Sequence, residues 1–322
     1  MTFLVTGCAG FIGYYITKVL CNGKNRVIGI DNLNNYYDTD LKIGRLNELK
    51  NCTYFTFYKL DLCDEGGMES LFKENKFDIV CHFAAQAGVR YSFENPQAYI
   101  DSNITGFGNI IKLSNKYHIK HFIYASSSSV YGNNKKTPFS EKDELEGQQS
   151  LYAETKRKNE LKACKYSTDY GLCTTGLRFF TVYGPWGRPD MAPILFMRAI
   201  SKGEEIRVFN NGNLWRDFTY IDDIVDGVLK VISCHPDKKN PARIYNIGNS
   251  SPVNLIDFIN VLEDIIGIKA IKVFVPMQKG DVYITYADTS LIEKKFGYKP
   301  STTIKSGIKK LWEWYKVFYL SE

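Results

Sequence analysis

The chain has 322 residues, of which 44% are hydrophobic and 24% are charged, close to the usage of ordinary globular proteins. Its 41 basic and 35 acidic residues give a net charge of +6, spread along the sequence without a basic run. These figures argue against a disordered, collagen-like or transmembrane chain. The diffuse positive charge suits an anionic small molecule better than nucleic acid or a membrane surface.

The eight cysteines are typical of a reduced protein rather than of a disulfide-stabilised or metal-binding one. They form no CxxC pair, and several lie inside apolar runs, as buried reduced cysteines do. The four histidines lack the Cys, Asp or Glu neighbours that would complete a metal site. The N-terminal residues MTFLVTGCAGFIGYYI show neither the basic region nor the cleavage site of a signal peptide. The sequence therefore predicts a cytoplasmic protein without a metal site.

Short apolar segments alternate with helix-like segments over the first two-thirds of the chain. The strand-like segments are, in order, TFLVTG, RVIGID, TFYKLD, FDIVCHF, HFIYASS and CTTGLRF. The helical segments are predicted to start near Phe11, Thr39, Glu65, Asn95 and Ser150. This alternation indicates an α/β fold, with a Rossmann-type, doubly wound parallel sheet that carries helices on both faces.

The regular alternation fades after about Thr181, where glycine and proline cluster in VYGPWGRPDM. We therefore expect a Rossmann domain over residues 1–180 that binds a dinucleotide, and a smaller α/β lobe over residues 181–322 that binds the substrate. The boundary between them is soft, because we expect the two lobes to exchange segments.

Three glycines, Gly7, Gly10 and Gly13, form GxxGxxG between the first predicted strand and the first predicted helix. In this context they allow a tight turn, close approach of a pyrophosphate and packing of the helix on the strand. The helix N-terminus adds N–H groups that favour an anion. Asp31 ends the next strand, where a carboxylate accepts hydrogen bonds from the adenosine ribose and repels a 2′-phosphate, so the pattern favours NAD over NADP. A tight turn without a ligand is the alternative explanation of the glycines alone.

Residues at the ends of the neighbouring strands extend the predicted dinucleotide site. Asp61 ends the third strand and could hold the adenine amino group. Ala84 and Ala85 follow the fourth strand, where a backbone must pass close to a cofactor, although small residues also simply pack. The other residues assigned to this site are Phe11, Ile12, Asn32, Leu62 and Gln86.

Tyr152 and Lys156 form YxxxK, which places both side chains on one face of a predicted helix, one turn apart. The fifth strand ends in the serines Ser126 to Ser129, at the carboxyl edge of the sheet where ligands bind in this architecture. The combination suits oxidation of an alcohol, in which a base removes the hydroxyl proton. Tyrosine has an ordinary pKa of ~10 and is a poor base at neutral pH, but a lysine ammonium nearby lowers that pKa. We therefore expect Tyr152 to act as the base, Lys156 to activate it and a serine at this strand end to hold the substrate oxygen.

Six segments in a fixed order resemble extended short-chain dehydrogenase/reductases that modify sugar nucleotides. They are DNLNNYYD (31–38), AAQAGVRYSFENP (84–96), YASSSSVYG (124–132), LRFFTVYGPWGRPDM (177–191), RDFTYIDDI (216–224) and GDVYITYAD (280–288). Within that superfamily the sequence is most similar to the NAD-dependent UDP-glucuronate 4-epimerases, from its first residue to the C-terminal helix. The resemblance implies a tightly held NAD, which takes hydride from C4 of a UDP-sugar and returns it to the opposite face of the 4-keto sugar.

The resemblance also implies roles for residues that the sequence patterns alone do not single out. Ser127 would be the serine that holds the substrate oxygen. Asn103, in DSNITGFGN, would line the cofactor site, and Lys156 would also contact the nicotinamide ribose. In the second lobe the implied ligands of the UDP phosphates or ribose are Arg216 and Gln278, with Asp281 alongside, and Phe209 falls in the segment that forms the uracil pocket.

The segment RDFTYIDD has a second interpretation, which is compatible with the first. Arg216 could be an ordinary solvated arginine, and Asp222 is expected to cap the helix that follows.

The residues after the fifth strand distinguish among the relatives that the resemblance suggests. Sugar-nucleotide 4,6-dehydratases carry Asp-Glu where this chain has Ser128 and Ser129, and UDP-glucuronate decarboxylases carry an acid where Ser129 stands. Dehydration and decarboxylation are therefore disfavoured. The groups that could hold a hexuronate carboxylate instead are Ser127, Ser128, Ser129, Thr181, Arg188 and Arg90. Serines at a strand end can also simply satisfy their own backbone.

The leading hypothesis is interconversion of UDP-glucuronate and UDP-galacturonate by a 4-epimerase. Alternatives of the same class are 4-epimerases of UDP-glucose, UDP-N-acetylhexosamine or an N-acetylated uronate. An alternative of another class is a catalytically idle NAD-binding module, although such proteins typically lose the tyrosine or the lysine. The resemblance further implies a homodimer formed by the helices near 95–117 and 150–170, and no nucleic-acid or membrane partner.

Overall fold

The computed structural model describes residues 1–234, 238–278 and 280–320, so the last two residues of the predicted second lobe lie outside it. The chain divides into two compact units. Unit 1 contains Met1–Asn133, Glu144–Phe179 and Val228–Tyr245, and unit 2 contains Asn134–Asp143, Phe180–Gly227 and Asn246–Glu322. Two segments cross the boundary expected near residue 180, since Asn134–Asp143 belongs to the second unit and Val228–Tyr245 to the first.

The strands are β1 (Thr2–Thr6), β2 (Arg26–Asp31), β3 (Phe55–Lys59), β4 (Ile79–His82), β5 (His121–Ser127), β6 (Thr174–Phe179), β7 (Thr181–Tyr183), β8 (Glu205–Phe209), β9 (Trp215–Arg216), β10 (Phe218–Tyr220), β11 (Ala242–Ile247), β12 (Val253–Asn254) and β13 (Ile271–Val275). The α-helices are α1 (Phe11–Asn22), α2 (Thr39–Lys50), α3 (Glu65–Glu74), α4 (Tyr91–Glu94), α5 (Pro96–Tyr99), α6 (Phe107–Lys116), α7 (Leu151–Tyr170), α8 (Ala192–Lys202), α9 (Ile221–Ser233), α10 (Leu255–Ile266), α11 (Ser290–Phe296) and α12 (Ile304–Tyr315).

A seven-stranded sheet in the order β11-β6-β5-β4-β1-β2-β3 organises unit 1. The strand pairs from β6 to β3 are all parallel. The six apolar segments taken as strands correspond to β1 through β6, so the predicted Rossmann-type α/β fold is confirmed. Because parallel strands end at one edge, the residues that follow β1, β2, β4 and β5 meet at the carboxyl edge of the sheet.

Two of the predicted helix starts coincide with capping residues. Ser150 precedes α7, and its hydroxyl accepts a hydrogen bond from the N–H of Ala153 at 3.2 Å. Asn95 caps α5 in the same way through the N–H of Ala98 at 3.3 Å. The helix expected near 95–117 is not uniform, however, because a π-helical stretch (Ile100–Gly106) separates α5 from α6. Such stretches often occur at functional sites.

The core of unit 1 lies between the sheet and its helices. Leu4, Val80 and Phe122 from three neighbouring strands are fully buried, and Phe107 and Ile110 of α6 pack into the same cluster. Their continuous apolar runs are those expected of strands that are covered on both faces. This packing fixes the carboxyl ends of the strands and therefore the position of the candidate site.

Unit 2 is built on three two-stranded sheets rather than one. The pairs β10-β7 and β13-β8 are parallel, and β12-β9 is antiparallel. Phe218 and Phe258 stack in its core with ring centroids 4.4 Å apart. The expected cap at Asp222 is wrong, because α9 begins at Ile221 and Asp222 therefore lies inside its first turn. No helix in the described ranges is long and apolar enough to cross a membrane.

Candidate dinucleotide and catalytic site

The turn between β1 and α1 requires glycine at two of the predicted positions. Gly7 has φ 72°, and a Cβ on it would lie 2.7 Å from the backbone nitrogen of Ala84. A Cβ on Gly13 would lie only 2.1 Å from the carbonyl oxygen of Gly7. Side chains are excluded at both places because the backbone, which cannot move aside, fills the space. The N–H of Gly10 donates to the Gly7 carbonyl at 2.9 Å and closes the turn.

The N-terminus of α1 faces the carboxyl edge of the sheet without a side-chain cap. The helix begins at Phe11, and Gly10 before it has extended backbone and no capping side chain. The side chain of Phe11 is buried and that of Ile12 is half-buried. Because both side chains are apolar, the backbone N–H groups are the polar groups that a ligand can contact at these positions. An uncapped helix N-terminus after a glycine turn is a binding site for phosphate, and these residues fit a dinucleotide pyrophosphate.

Asp31 ends β2 beside this turn. Its Oδ2 accepts a hydrogen bond from the N–H of Ala9 at 3.2 Å, and its Oδ1 accepts one from the N–H of Leu33 at 2.9 Å. Burial raises the pKa of the carboxyl, and the nearby charge of Lys42 opposes that rise. Each carboxylate oxygen keeps acceptor capacity, so Asp31 can still receive the hydroxyls of a ribose.

Asn32 and Asp61 lie together at the ends of neighbouring strands. The amide of Asn32 donates to Oδ2 of Asp61 at 2.7 Å, and the N–H of Cys63 donates to its Oδ1 at 2.8 Å. Asp61 is exposed, whereas the side chain of Leu62 is buried in the core cluster. Only the backbone of Leu62 is therefore available for its predicted contact with the cofactor.

Asn103 fixes the loop that follows β4. Its side-chain oxygen accepts from the N–H of Gln86 at 2.9 Å, and its side-chain nitrogen donates to the Gln86 carbonyl at 3.0 Å and to Oγ1 of Thr155 at 3.0 Å. Both amide hydrogens are thus used within the chain, which makes Asn103 a positioning residue in this structure. Ala84 and Ala85 lie in the same loop and are half-buried.

The predicted catalytic serine ends β5, and its hydroxyl is next to that of Ser129. Oγ of Ser127 lies 3.1 Å from Oγ of Ser129 and accepts a hydrogen bond from the N–H of Ser129, also at 3.1 Å. Ser128 and Ser129 begin a 3₁₀ turn (Ser128–Tyr131) directly after the strand. Ser127 therefore uses one hydrogen bond to satisfy a neighbouring backbone N–H, as the alternative explanation of the strand-end serines expects.

Helix α7 brings Tyr152 and Lys156 to the same edge. Lys156 is 2% exposed, and its Nζ donates to the carbonyl of Ala125 at 2.9 Å, two residues before Ser127. Burial lowers the pKa of Lys156 to about 8, and the charge of Glu160 limits the fall. The ammonium form therefore predominates at neutral pH. The ring of Tyr152 meets that of Tyr99 edge-on, with centroids 6.1 Å apart.

The residues expected to hold the substrate carboxylate differ in the contacts that they already make within the chain. Nε and Nη2 of Arg188 lie 3.0 and 2.5 Å from the two oxygens of Asp190, so its guanidinium already contacts a carboxylate of its own chain. Thr181 is half-buried in unit 2, where its N–H donates to the carbonyl of Asp217. Arg90 lies in unit 1 and is exposed.

Two of the predicted nucleotide ligands lie at or just beyond the ends of two paired strands of unit 2. Phe209 ends β8 opposite Val275, the last residue of β13, and Gln278 lies three residues further on. The side-chain oxygen of Gln278 is buried and accepts no hydrogen bond from the described part of the chain. A buried acceptor of this kind is costly unless a ligand or water supplies a donor, so its environment fits a ligand with an N–H or O–H group.

Arg216 and Asp281 lie close together, as the resemblance implies. Nη1 of Arg216 donates to the carbonyls of Trp215 at 2.9 Å and Tyr283 at 3.3 Å, and Nη2 lies 3.7 Å from Oδ1 of Asp281. The guanidinium is therefore held in a fixed orientation by backbone carbonyls, unlike a freely solvated arginine.

Two functional candidates on α2 were missed by the sequence patterns. Arg45 is fully buried and donates to the carbonyl of Ala9 at 2.7 Å, and Lys42 donates to the carbonyl of Asn34 at 2.7 Å beside Asp31. Both support the backbone around the predicted adenosine site. They share the buried face of the helix with Leu46 and neighbouring leucines. Two cationic residues within an apolar helical stripe are therefore the feature of the sequence that could have identified them.

No three Cys, His, Asp or Glu side chains in the parts of the chain that the structure describes lie close enough to hold a metal ion. The eight cysteines form no disulfide.

Comparison with known proteins identifies relatives over the full length of the chain. A 37.6 kDa uncharacterized protein of Escherichia coli O111:H- is 50% identical over 333 residues, covering 99% of each chain. UDP-glucuronate 4-epimerase 4 of Arabidopsis thaliana is 45% identical over 333 residues, which covers 99% of this chain and 76% of the plant protein. The crystal structure of UDP-glucuronic acid 4-epimerase from Bacillus cereus, in complex with UDP-glucuronic acid and NAD, superposes with a TM-score of 0.93 at 31% identity, covering 99% and 100% of the two chains.

The sequence profile of the NAD dependent epimerase/dehydratase family matches residues 3–248, which is most of the chain. Its agreement with the glycine turn, the carboxylate at the end of β2 and the YxxxK helix shows that the chain belongs to this NAD-dependent family.

Proposed function

We propose that the protein is an NAD-dependent 4-epimerase that interconverts UDP-glucuronate and UDP-galacturonate. The observation that carries the proposal is the run of hydroxyls at the end of β5, Ser127, Ser128 and Ser129, two residues after the carbonyl that binds Lys156. An alcohol-oxidising residue set is thus adjacent to neutral hydrogen-bond donors instead of the acids that dehydration requires. The relatives named as UDP-glucuronate 4-epimerases support the same substrate.

The residues of unit 1 would hold NAD through three kinds of contact. The turn from Gly7 to Gly13 and the N–H groups of α1 receive the pyrophosphate, Asp31 receives the adenosine ribose, and Lys156 contacts the nicotinamide ribose. When bound, NAD supplies an acceptor for hydride from C4 of the sugar and a donor that returns it.

Proton transfer is the task of Tyr152, Lys156 and Ser127. The phenolate of Tyr152 removes the proton of the 4-hydroxyl, and the Lys156 ammonium stabilises the phenolate by its charge. The hydroxyl of Ser127 hydrogen-bonds to O4 and can donate to it or accept from it as the oxygen changes from alcohol to ketone. On the return step Tyr152 gives the proton back to O4, which leaves the enzyme unchanged.

The serine hydroxyls also protect the substrate from losing carbon dioxide. Oxidation at C4 makes a β-keto acid, and its decarboxylation moves negative charge away from the carboxylate. Hydrogen bonds from Ser128 and Ser129 to the carboxylate stabilise charge at that group, so they favour the intact acid. The absence of an acid at the two serine positions also removes a general catalyst for elimination.

Residues of unit 2 would bind the UDP portion. Arg216 supplies a guanidinium for phosphate, Gln278 a buried acceptor for an N–H or O–H group, and Phe209 an apolar surface for uracil, with Asp281 beside the arginine. The contacts that bind the substrate are made to its nucleotide portion and not to the sugar at C4. The 4-keto sugar can therefore turn about its diphosphate linkage and present its other face.

An NMR time course of the purified protein with UDP-glucuronate and no added NAD tests the proposal. We expect UDP-galacturonate to appear, which requires both acceptance of the uronate and a cofactor that stays bound through purification. A UDP-pentose product would contradict the protective role of the serines. Turnover of UDP-glucose at the same rate would contradict uronate selectivity. No turnover of either sugar, even with added NAD, would favour an idle NAD-binding module.

We further propose that the enzyme works as a cytoplasmic homodimer. The eight cysteines without a disulfide suit a reducing compartment. Helix α7 exposes Leu161 and Tyr170, which are 53% and 62% exposed, and such side chains suit a helical interface. Light scattering behind size-exclusion chromatography should give twice the mass of 36.9 kDa, and Leu161→Glu should shift it to one chain. A monomer at micromolar concentration would contradict the dimer.

A further inference from the structure

A buried ion pair lies beneath the candidate catalytic edge and has no role in the mechanism above. Arg178 of β6 and Glu160 of α7 are each 2% exposed. Nε of Arg178 lies 2.9 Å from Oε1 of Glu160 and Nη2 lies 2.9 Å from Oε2, which is a bidentate contact. Burying two charges is costly, and such a pair often contributes little to stability, so its position calls for another explanation.

The pair and the catalytic lysine together attach α7 to β5 at consecutive residues. Lys156 binds the carbonyl of Ala125 at 2.9 Å, and Glu160, one helical turn later, accepts a hydrogen bond from Oγ of Ser126 at 2.7 Å. The next residue along the strand is Ser127, whose side chain points to the other face. The two contacts therefore fix the position of α7 relative to the predicted catalytic serine.

The arginine extends the same connection to the residues that follow the serine. Arg178 is the register partner of Ser126 in the sheet. Its Nη1 lies 2.9 Å from the hydroxyl of Tyr131, and its guanidinium lies 4.8 Å from the centre of that ring. Tyr131 ends the 3₁₀ turn that contains Ser128 and Ser129. The ion pair thus contacts the chain on both sides of Ser127.

The charge of Glu160 also acts on Lys156. Burial lowers the pKa of Lys156 to about 8, and Glu160 opposes this. Two neighbouring titratable side chains, His82 and Tyr124, supply no negative charge. Burial and the charge of Lys156 lower the pKa of His82 on β4 to about 3, so that residue is neutral, and burial raises the pKa of Tyr124 on β5, so that phenol stays protonated.

We propose that Glu160 and Arg178 are positioning residues for the reaction: together they fix Ser127 relative to α7, and the Glu160 carboxylate keeps Lys156 in its ammonium form. The activity test of this inference rests on the proposed function, whereas its titration test does not.

The test compares two variants that break the same ion pair but leave opposite charges behind. Glu160→Gln removes the negative charge and leaves the arginine, so Lys156 should lose its proton at lower pH. Arg178→Gln leaves the carboxylate, next to Arg157 at 3.4 Å, so Lys156 should keep its proton to higher pH. We expect the alkaline limb of the kcat profile to move by about 1 pH unit, downward in the first variant and upward in the second. A purely structural pair would lower activity in both variants without moving the limbs in opposite directions.

A direct titration keeps the inference independent of turnover. Lysine side chains labelled with carbon-13 at Cε can be followed by NMR across pH in the purified holoenzyme, and Lys156→Met identifies the signal. We expect the two variants to displace the midpoint of that signal in opposite directions. Equal midpoints in all three proteins would overturn the electrostatic part, even if the wild type epimerises UDP-glucuronate. Displaced midpoints in a protein that does not turn over would leave this part standing and reject the proposed function.

Glu160→Asp and Ser126→Ala separate positioning from charge and are milder changes to the fold. The aspartate keeps the charge but shortens the reach, and the alanine removes one hydrogen bond without changing any charge. We expect both to lower kcat by about tenfold with the pH limb in place, because a small displacement of a reacting group is enough for such a loss. Full activity in both would overturn the positioning role.

Discussion

Arg188 contacts Asp190 with two nitrogens, Nε at 3.0 Å from Oδ1 and Nη2 at 2.5 Å from Oδ2, although only one residue separates them in the chain. The sequence analysis gives Arg188 as one of six candidate ligands for a hexuronate carboxylate. A carboxylate of the protein already contacts those two nitrogens, so a substrate carboxylate that bound to the same two would have to displace it. The internal contact favours the proposal that neutral hydroxyls receive the substrate carboxylate.

This relationship changes the expected effect of replacing the arginine. Arg188→Ala should lower kcat/KM for UDP-glucuronate and UDP-glucose by the same factor, within about threefold, because the lost contact is internal to unit 2. Asp190→Ala is the matched variant, and steady-state kinetics with both sugars is the measurement. A loss with UDP-glucuronate more than tenfold larger than the loss with UDP-glucose would identify Arg188 as a carboxylate ligand.

Ser129→Ala should show the selectivity that Arg188→Ala lacks. A hydrogen bond to a charged group contributes about 1.5–3 kcal/mol, so kcat/KM for UDP-glucuronate should fall by about tenfold to a hundredfold. The neutral sugar should lose less than about threefold, because it lacks the carboxylate. The product mixture should also contain more UDP-pentose if the hydroxyls restrain decarboxylation. Equal losses for the two sugars would contradict a contact between Ser129 and the carboxylate.

Tyr152→Phe should abolish epimerisation while leaving nucleotide binding intact. The phenyl ring keeps its edge-on contact with Tyr99 but has no group to accept the 4-hydroxyl proton. We expect kcat to fall by about a thousandfold, and the Kd for UDP, measured by calorimetry, to change by less than about twofold. Tyr54→Phe is the control, since that residue is 45% exposed and has no role in the proposed site or interface. Substantial activity of the Tyr152 variant would refute its assignment as the base.

The sequence predicted those parts of the fold that are encoded locally. Strands β1 through β6 were found because each is a short apolar run. The start predicted for α7 near Ser150 is confirmed, and Ser150 caps that helix in the structure. Lys42 and Arg45 were missed because a cation inside an apolar helical face is recognised only when its partners across the fold are known. The same limit applies to Glu160 and Arg178, which are 18 residues apart and meet through the pairing of α7 with β6. Contacts of this kind depend on tertiary packing, which periodicity does not report.

Gly13→Ala should remove the cofactor. The new Cβ would lie 2.1 Å from the carbonyl oxygen of Gly7, so the turn or the start of α1 must shift. We expect the purified variant to contain less than about a tenth of the NAD of the wild type, as released by acid and measured enzymatically. Gly66→Ala is the control, because a Cβ there meets nothing closer than 3.7 Å and alanine favours the helix. Normal NAD content in the Gly13 variant would contradict this turn as the pyrophosphate site.

Lys156→Met should stabilise the protein while it removes activity. The lysine is buried, and its pKa is lowered from 10.5 to about 8, so the folded state bears the cost of an ammonium that water would solvate better. Below pH 8 Lys156 is charged in both the folded and the unfolded protein, so the full free-energy cost of the buried ammonium is present there. Between pH 8 and 10.5 the unfolded chain binds more protons than the folded one, so stability rises with pH across that window. An apolar side chain of similar length avoids the cost.

The size of the effect follows from the same shift in pKa. We expect Lys156→Met to gain about 3 kcal/mol in unfolding free energy at pH 7, less any loss from imperfect packing, since one pKa unit corresponds to about 1.4 kcal/mol. Wild-type stability should rise between pH 8 and 10 relative to that of the variant, so the difference between them should shrink. Urea unfolding at several pH values measures both quantities. Two results would contradict the cost of a buried ammonium at this position. One is a variant that is less stable than the wild type at pH 7, and the other is a difference in unfolding free energy between the two proteins that does not change with pH.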